Sequence, residues 1–143
     1  MILLDTNVVS ELWRPQPSRT VRSWLDAQDE ASLFICTPVL AELHFGADRL
    51  PPGRRKEFLN ALINQVEVDG FKDRILSFDV AAASVFGRVG ARRERSGKRM
   101  EPVDAMIAAI ALTHGLMLAT RDTNDFADLD LDLINPFELP IER

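Results

Sequence analysis

This sequence predicts an α/β fold, a three-layer α/β/α sandwich with a central parallel sheet of four to five strands. Two observations carry that reading. Short apolar runs recur along the chain, each the length of a buried strand rather than of a helix. Segments of helical period separate them, and strands alternating with helices mark a parallel sheet covered on both faces.

The elements follow in order. Ile2-Leu3-Leu4, ending at Asp5, is the first strand. Residues 18–28 set Val21, Trp24 and Leu25 at helical spacing, with Trp24 assigned to the core. Residues 32–36 are the second strand, ended by Thr37-Pro38. Thr37 suits an N-cap and Pro38 the first helical position, so a helix runs from 38 to about 49. Pro51-Pro52-Gly53 breaks the chain, and Phe58, Leu59, Leu62, Ile63 and Val66 then line one face of an amphipathic helix. Residues 74–78 are a third strand, after which Asp79 caps a long helix ending near Ser96-Gly97. Pro102 opens another, with Val103, Met106, Ile107 and Ile110 on its apolar side and His114-Gly115 at its stop. Residues 116–120 are the fourth strand, and Leu131 to Ile134 form a short edge strand.

A chain of 143 residues suits one domain, spanning 1–143, with a substantial core. Apolar residues make up 46% and charged residues 27%, as in ordinary soluble proteins. No apolar run approaches the roughly 20 residues that span a bilayer. The N-terminus lacks the basic start and cleavage site of a signal peptide. The expectation is a soluble, cytoplasmic protein with no membrane association. The single cysteine, Cys36, sits in the apolar run Leu33-Phe34-Ile35-Cys36 and reads as core.

The net charge of −5 argues against a surface coated for nucleic-acid binding, yet charge is unevenly spread. Residues 88–99 hold Arg88, Arg92, Arg93, Arg95, Lys98 and Arg99, while residues 122–143 are strongly acidic. A basic run steers polyanions, and Arg92, Arg93 and Arg95 are candidates for steering one. The alternative reading of each run is a solvated helix face.

The acidic residues carry the functional argument. Asp5 ends the first strand, and Asp is a poor strand former. Glu42 lies about one turn inside the helix after the second strand, Asp104 in the first turn of the Pro102 helix, and Asp122 just after the fourth strand. In a parallel sheet, strand C-termini and the N-termini of the following helices share one edge, where ligands bind. All four carboxylates then face a common crevice. Helix-dipole preference alone is the competing account of Glu42 and Asp104. Two full charges about 5 Å apart repel by roughly 3 kcal/mol at an effective dielectric of about 20. Such a cluster needs a cation, a proton or a basic partner. Oxygen ligands without His or Cys favour Mg²⁺ or Mn²⁺, which suits metal-dependent hydrolysis of nucleic acid.

Four segments resemble the motifs of PIN-domain ribonucleases: ILLDTNVVSEL, TPVLAELHFGA, PVDAMIAAIA and LATRDTNDF. Within that family they are most similar to VapC-type toxins of bacterial toxin–antitoxin pairs, including the FitB subgroup. The resemblance implies a PIN-like fold and Mg²⁺- or Mn²⁺-dependent cleavage of RNA. It places the acidic site on Asp5, Glu42, Asp104 and Asp122, with the hydroxyls of Thr6 and Thr120 in support. Asp125 is the alternative fourth acid, and Asp122 is preferred because it directly follows the strand. The resemblance also implies a homodimer and a cognate antitoxin lying along the helices near the site. Operator DNA would be bound only through that antitoxin. The helices of residues 38–66 are then candidates for the antitoxin groove, and Trp13 for a partner anchor or simple packing.

Two rivals come from other classes. A phosphatase with Asp5 as nucleophile is one; Asn7 stands where that class carries a second Asp. The other is a non-enzymatic partner-binding module whose acidic pocket accepts an Arg from another protein.

Overall fold

The computed structural model describes residues 1–139, so the last four residues of the acidic C-terminal run lie outside the described residues. Five strands form the sheet: β1 (Ile2–Leu4), β2 (Leu33–Cys36), β3 (Ile75–Leu76), β4 (Met117–Ala119) and β5 (Leu133–Ile134). All pairs are parallel and the order is β3-β2-β1-β4-β5. The strands are shorter than expected at their ends but fall where the apolar runs place them. Leu3 is paired with Phe34 of β2 and Leu118 of β4, which makes β1 the central strand. The chain lays down β2 and β3 on one side of β1, then crosses to add β4 and β5 on the other. The C-terminal ends of β1 and β4 therefore flank the topological switch point, where open parallel sheets bind ligands.

Helices cover the sheet: α1 (Thr6–Glu11), α2 (Arg19–Asp26), α3 (Thr37–Asp48), α4 (Arg54–Gln65), α5 (Val80–Arg95) and α6 (Pro102–His114). Leu3, Leu4, Ile35 and Leu118 from the strands meet Val8, Val39, Ile107 and Ile110 from the helices in one buried cluster. Trp13 and Trp24 are partly buried against it, as packing residues. Helix α6 is buried on nearly every side from Ala105 to Ala111. It ends at Gly115, whose φ of 65° is the left-handed conformation that closes a helix without Cβ strain. Asp79 caps α5 as expected, accepting from the Ala82 N–H at 3.0 Å.

The structure adds one element and corrects two expectations. Helix α1 was not anticipated, because its six residues are too few to show a period. Its N-cap is Asp5 itself, whose carboxylate accepts from the Thr6 N–H. Thr37 does not cap α3: Cys36 holds the cap position without a side-chain bond, and the Thr37 hydroxyl accepts from the Phe78 N–H at 3.2 Å. Arg93 is not free to steer a polyanion, being only 5% exposed. Its guanidinium donates to the carbonyls of Lys98, Asp125 and Ala127 at 2.9, 2.8 and 3.2 Å. That fan of bonds ties the end of α5 to the turn after β4, the segment that carries Asp122 and Asp125.

Removing this buried guanidinium breaks three hydrogen bonds at once and leaves a gap between α5 and the turn, so Arg93→Ala is expected to cost about 3 kcal/mol of stability. Arg92, which pairs with Asp130 on the surface at 2.9 Å, serves as the control, and Arg92→Ala is expected to cost less than about 1 kcal/mol. Urea unfolding of both variants, compared at equal slope, measures the contrast.

Candidate active site

The site is built around the end of β1. The Asp5 N–H still follows the sheet, donating to the Ala119 carbonyl at 2.9 Å. Its side chain leaves the sheet at the switch point and is almost wholly buried. Oδ1 accepts from the Thr6 N–H at 2.8 Å, and Oδ2 accepts from the Thr120 hydroxyl at 2.7 Å. Thr120, fully buried after β4, in turn accepts from the Asp122 N–H at 3.0 Å. One threonine therefore sets both the Asp5 carboxylate and the backbone of Asp122.

The remaining acids arrive from separate elements. Glu42, on α3, accepts from the Thr6 hydroxyl at 2.6 Å, so Thr6 holds two acids, Asp5 through its N–H and Glu42 through its hydroxyl. Asp104 sits in the first turn of α6, as Pro102 at the helix start dictates. Asp122 is exposed at the rim, and Asp125 lies in the 3-10 turn Thr123–Phe126. Sequence reasoning missed the part played by Asn7. Its Nδ2 reaches Asp122 Oδ2 at 3.1 Å and Asp5 Oδ2 at 3.4 Å, while its Oδ1 accepts from the Arg121 N–H at 3.2 Å. The only available signal was its position two residues after Asp5, one side chain away on a helix too short to predict.

Electrostatics show how closely these groups are gathered. Burial pushes the Asp5 carboxyl up to about 6; the Thr120 and Thr6 donors oppose that shift, and the charges of Glu42 and Asp122 add to it. Asp104 is pushed up to about 7, first by burial and then by the charges of Asp5, Asp125, Glu42 and Asp122. Asp5 and Asp104 thus each feel the charges of Glu42 and Asp122, and Asp104 feels that of Asp125 as well.

Among the described residues, none of these five acids forms an ion pair with Lys, Arg or His. His44 pairs instead with Glu67, and His114 ends α6. Neither joins the cluster. Also among the described residues, no three ligating side chains close on a single point tightly enough to hold an ion as they stand. The donor chemistry nevertheless fits a hard divalent cation: carboxylate and hydroxyl oxygens only, mutually repelling, without an internal counter-charge.

A family model described as the PIN domain matches residues 2–131. The chain belongs to the PIN-domain family. A VapC ribonuclease of Sinorhizobium fredii is 43% identical over 139 residues, covering 96% of this chain and 99% of that protein. Toxin FitB of Neisseria gonorrhoeae is 38% identical over 137 residues, with 96% and 99% covered. A solved structure described as FitAB bound to an IR36 DNA fragment superposes with a TM-score of 0.91 at 36% identity, covering 100% of both chains. The α/β/α fold and the five-stranded parallel sheet are thus those of a PIN domain.

The raised carboxyls make a stability prediction for this PIN domain. Asp5 and Asp104 have ordinary values of 3.8 unfolded but about 6 and about 7 folded, so the folded state holds their protons more tightly. Their contribution is complete below the unfolded value and is lost as pH rises through the folded values. Asp104→Asn removes the charge that appears in that window. In EDTA, its Tm is expected to exceed the wild-type value by a margin that widens from about pH 5 to about pH 8. Differential scanning calorimetry across that range checks it; a constant margin would contradict the cluster's electrostatics.

Proposed function

We propose that this chain is a metal-dependent endoribonuclease acting as the toxin of a toxin–antitoxin pair. The observation that carries this reading is the gathering of Asp5, Glu42, Asp104, Asp122 and Asp125 at the switch point without an internal cation. Relatives spanning nearly the whole chain support it, being named as VapC ribonuclease and as toxin FitB.

In this reading Asp5, Glu42, Asp104 and Asp122 hold Mg²⁺ or Mn²⁺, with Asp125 contributing from the adjoining turn. A bound divalent ion supplies Lewis acidity toward a phosphoryl oxygen and toward the attacking water. The chain's own residues fix the carboxylates. Thr120 and the Thr6 N–H lock the Asp5 rotamer, the Thr6 hydroxyl orients Glu42, and Asn7 spaces Asp5 from Asp122. A nucleophilic role for Asp5 fits poorly, since both its oxygens are engaged and its carboxylate is buried.

The cognate antitoxin would dock on α3 and α4. Phe45 is 68% exposed there and Phe58 is also exposed, each with an arginine, Arg49 and Arg55, over its ring. Operator DNA would be reached only through the antitoxin, and the toxin would form a homodimer. The rival reading, a pocket that only accepts an arginine from a partner, also explains an acid cluster without its own cation. Titration calorimetry with Mg²⁺ separates them, because a pure partner-binding pocket takes up no ion.

The decisive measurement is cleavage of RNA by the purified, antitoxin-free protein with Mg²⁺ or Mn²⁺. Activity is expected to vanish in EDTA and in Asp5→Asn. Thr120→Val and Asn7→Ala, which only support the ligands, are expected to lose about 10- to 100-fold. Equal activity, or equal inertness, of wild type and Asp5→Asn overturns the assignment.

A further inference from the structure

An acid cluster that works on a polyanion needs a fixed positive group to receive the substrate's phosphates. Within the basic run of α5, Arg93 is spent on carbonyls and Arg92 on Asp130, while Arg88 and Arg95 line a cavity with Leu112 and Leu129 that includes none of the five acids. Arg121, immediately before Asp122, is placed differently. Its backbone is tied on both sides: the N–H donates to Asn7 Oδ1, and its carbonyl accepts from Asn135 Nδ2 at 3.3 Å. Its guanidinium carbon lies 3.8 Å from the centroid of the Phe137 ring, a stacked cation–π arrangement.

One edge of that guanidinium faces Glu11, but only at 4.0 Å, the outer limit of an ion pair. Glu11 is buried and already accepts from the Ser18 N–H at 3.1 Å and from Arg14 at 3.4 Å. Among the described residues the Arg121 side chain donates no hydrogen bond, and it is 47% exposed. A planar cation is thus stacked on an aromatic ring, on the residue whose backbone meets Asn7 and precedes Asp122, and among the described residues its donors make no hydrogen bond. Stacking fixes the side chain before any ligand arrives, which lowers the entropy lost on binding.

Resting on the ribonuclease reading above, we propose that Arg121 binds the substrate: its guanidinium takes a backbone phosphate of single-stranded RNA next to the bond being cut. Phe137 is the positioning residue that holds Arg121 for this contact.

The test uses a fluorophore-labelled single-stranded RNA oligonucleotide with the full chain. Cleavage kinetics are measured for wild type, Arg121→Ala, Arg121→Lys and Glu11→Gln, and binding by anisotropy is measured across a salt series. Arg121→Ala is expected to raise KM about tenfold with kcat changed less than about threefold, and to flatten the salt dependence of binding by roughly one phosphate contact. Arg121→Lys keeps the point charge and is expected to retain most of the salt dependence while losing part of the affinity. Glu11→Gln weakens the ion pair without touching the proposed contact, and its KM is expected to stay at the wild-type value. If Arg121→Ala and Glu11→Gln lose thermal stability alike while KM and the salt slope stay unchanged, Arg121 is a structural tie and the inference falls. A wild type that cleaves RNA while Arg121→Ala matches it in KM and slope overturns this inference alone. A wild type that neither binds nor cleaves any RNA overturns the ribonuclease reading with it.

Discussion

The structure depends on one bond, the hydroxyl of Thr120 donating to the carboxylate of Asp5. Asp5 ends the central strand, and Thr120 follows β4 on the other side of the switch point. The bond therefore joins the two strand ends between which the chain reverses its direction of sheet growth. The same carboxylate caps α1 through Thr6, and the same hydroxyl accepts from the Asp122 N–H. Strand, helix and the acidic rim are thereby fixed by two adjacent side chains. Burying a carboxylate is costly unless donors surround it, and here the donors come from the elements that must be held together.

That arrangement trades stability for chemistry. Donors at 2.7 and 2.8 Å oppose the effect of burial, yet burial outweighs them and Asp5 sits at about 6, with the charges of Glu42 and Asp122 adding to the shift. Among the described residues Asp104 has no donor of this kind, and burial with the surrounding charges raises it further, to about 7. A fold selected for stability alone would not gather carboxylates from a strand end, two helices and a turn at one edge. Such strain points to a functional site, because perturbed acids in a cleft are where chemistry concentrates.

Much of the fold was legible because its signals are local. Apolar runs mark the strands, Pro102 starts a helix, Gly115 stops one, and Asp79 caps α5. The gathering of the four acids was legible too, since the parallel topology alone puts strand ends and helix starts on one edge. What escaped depends on tertiary context. Helix α1 is shorter than two turns and carries no readable period. Thr37 looks like a cap by type, but its hydroxyl is taken by Phe78, across from β2. Arg93 looks like part of a solvated basic face, and only the approach of the turn at 125–127 shows that it is interior. Asn7 is an ordinary residue until Asp122, far along the chain, comes within 3.1 Å of it.

Charge decides how the two ends of this site divide their work. Carboxylates gathered without a counter-charge attract any suitable cation, whether a divalent metal or a guanidinium offered by another protein. Their number and their oxygen-only character favour the metal, since a single guanidinium engages at most the planar edge of one or two carboxylates. In the ribonuclease reading, the same negative field that would draw the cation repels a phosphate backbone, so neutralisation by the ion would have to be joined by a positive group outside the cluster. That group has to lie close to the acids without pairing with them, or it would cancel the field that holds the ion. Phe137 satisfies this requirement for Arg121 by stacking on its guanidinium, beside Asp122 in sequence yet bonded to none of the five acids.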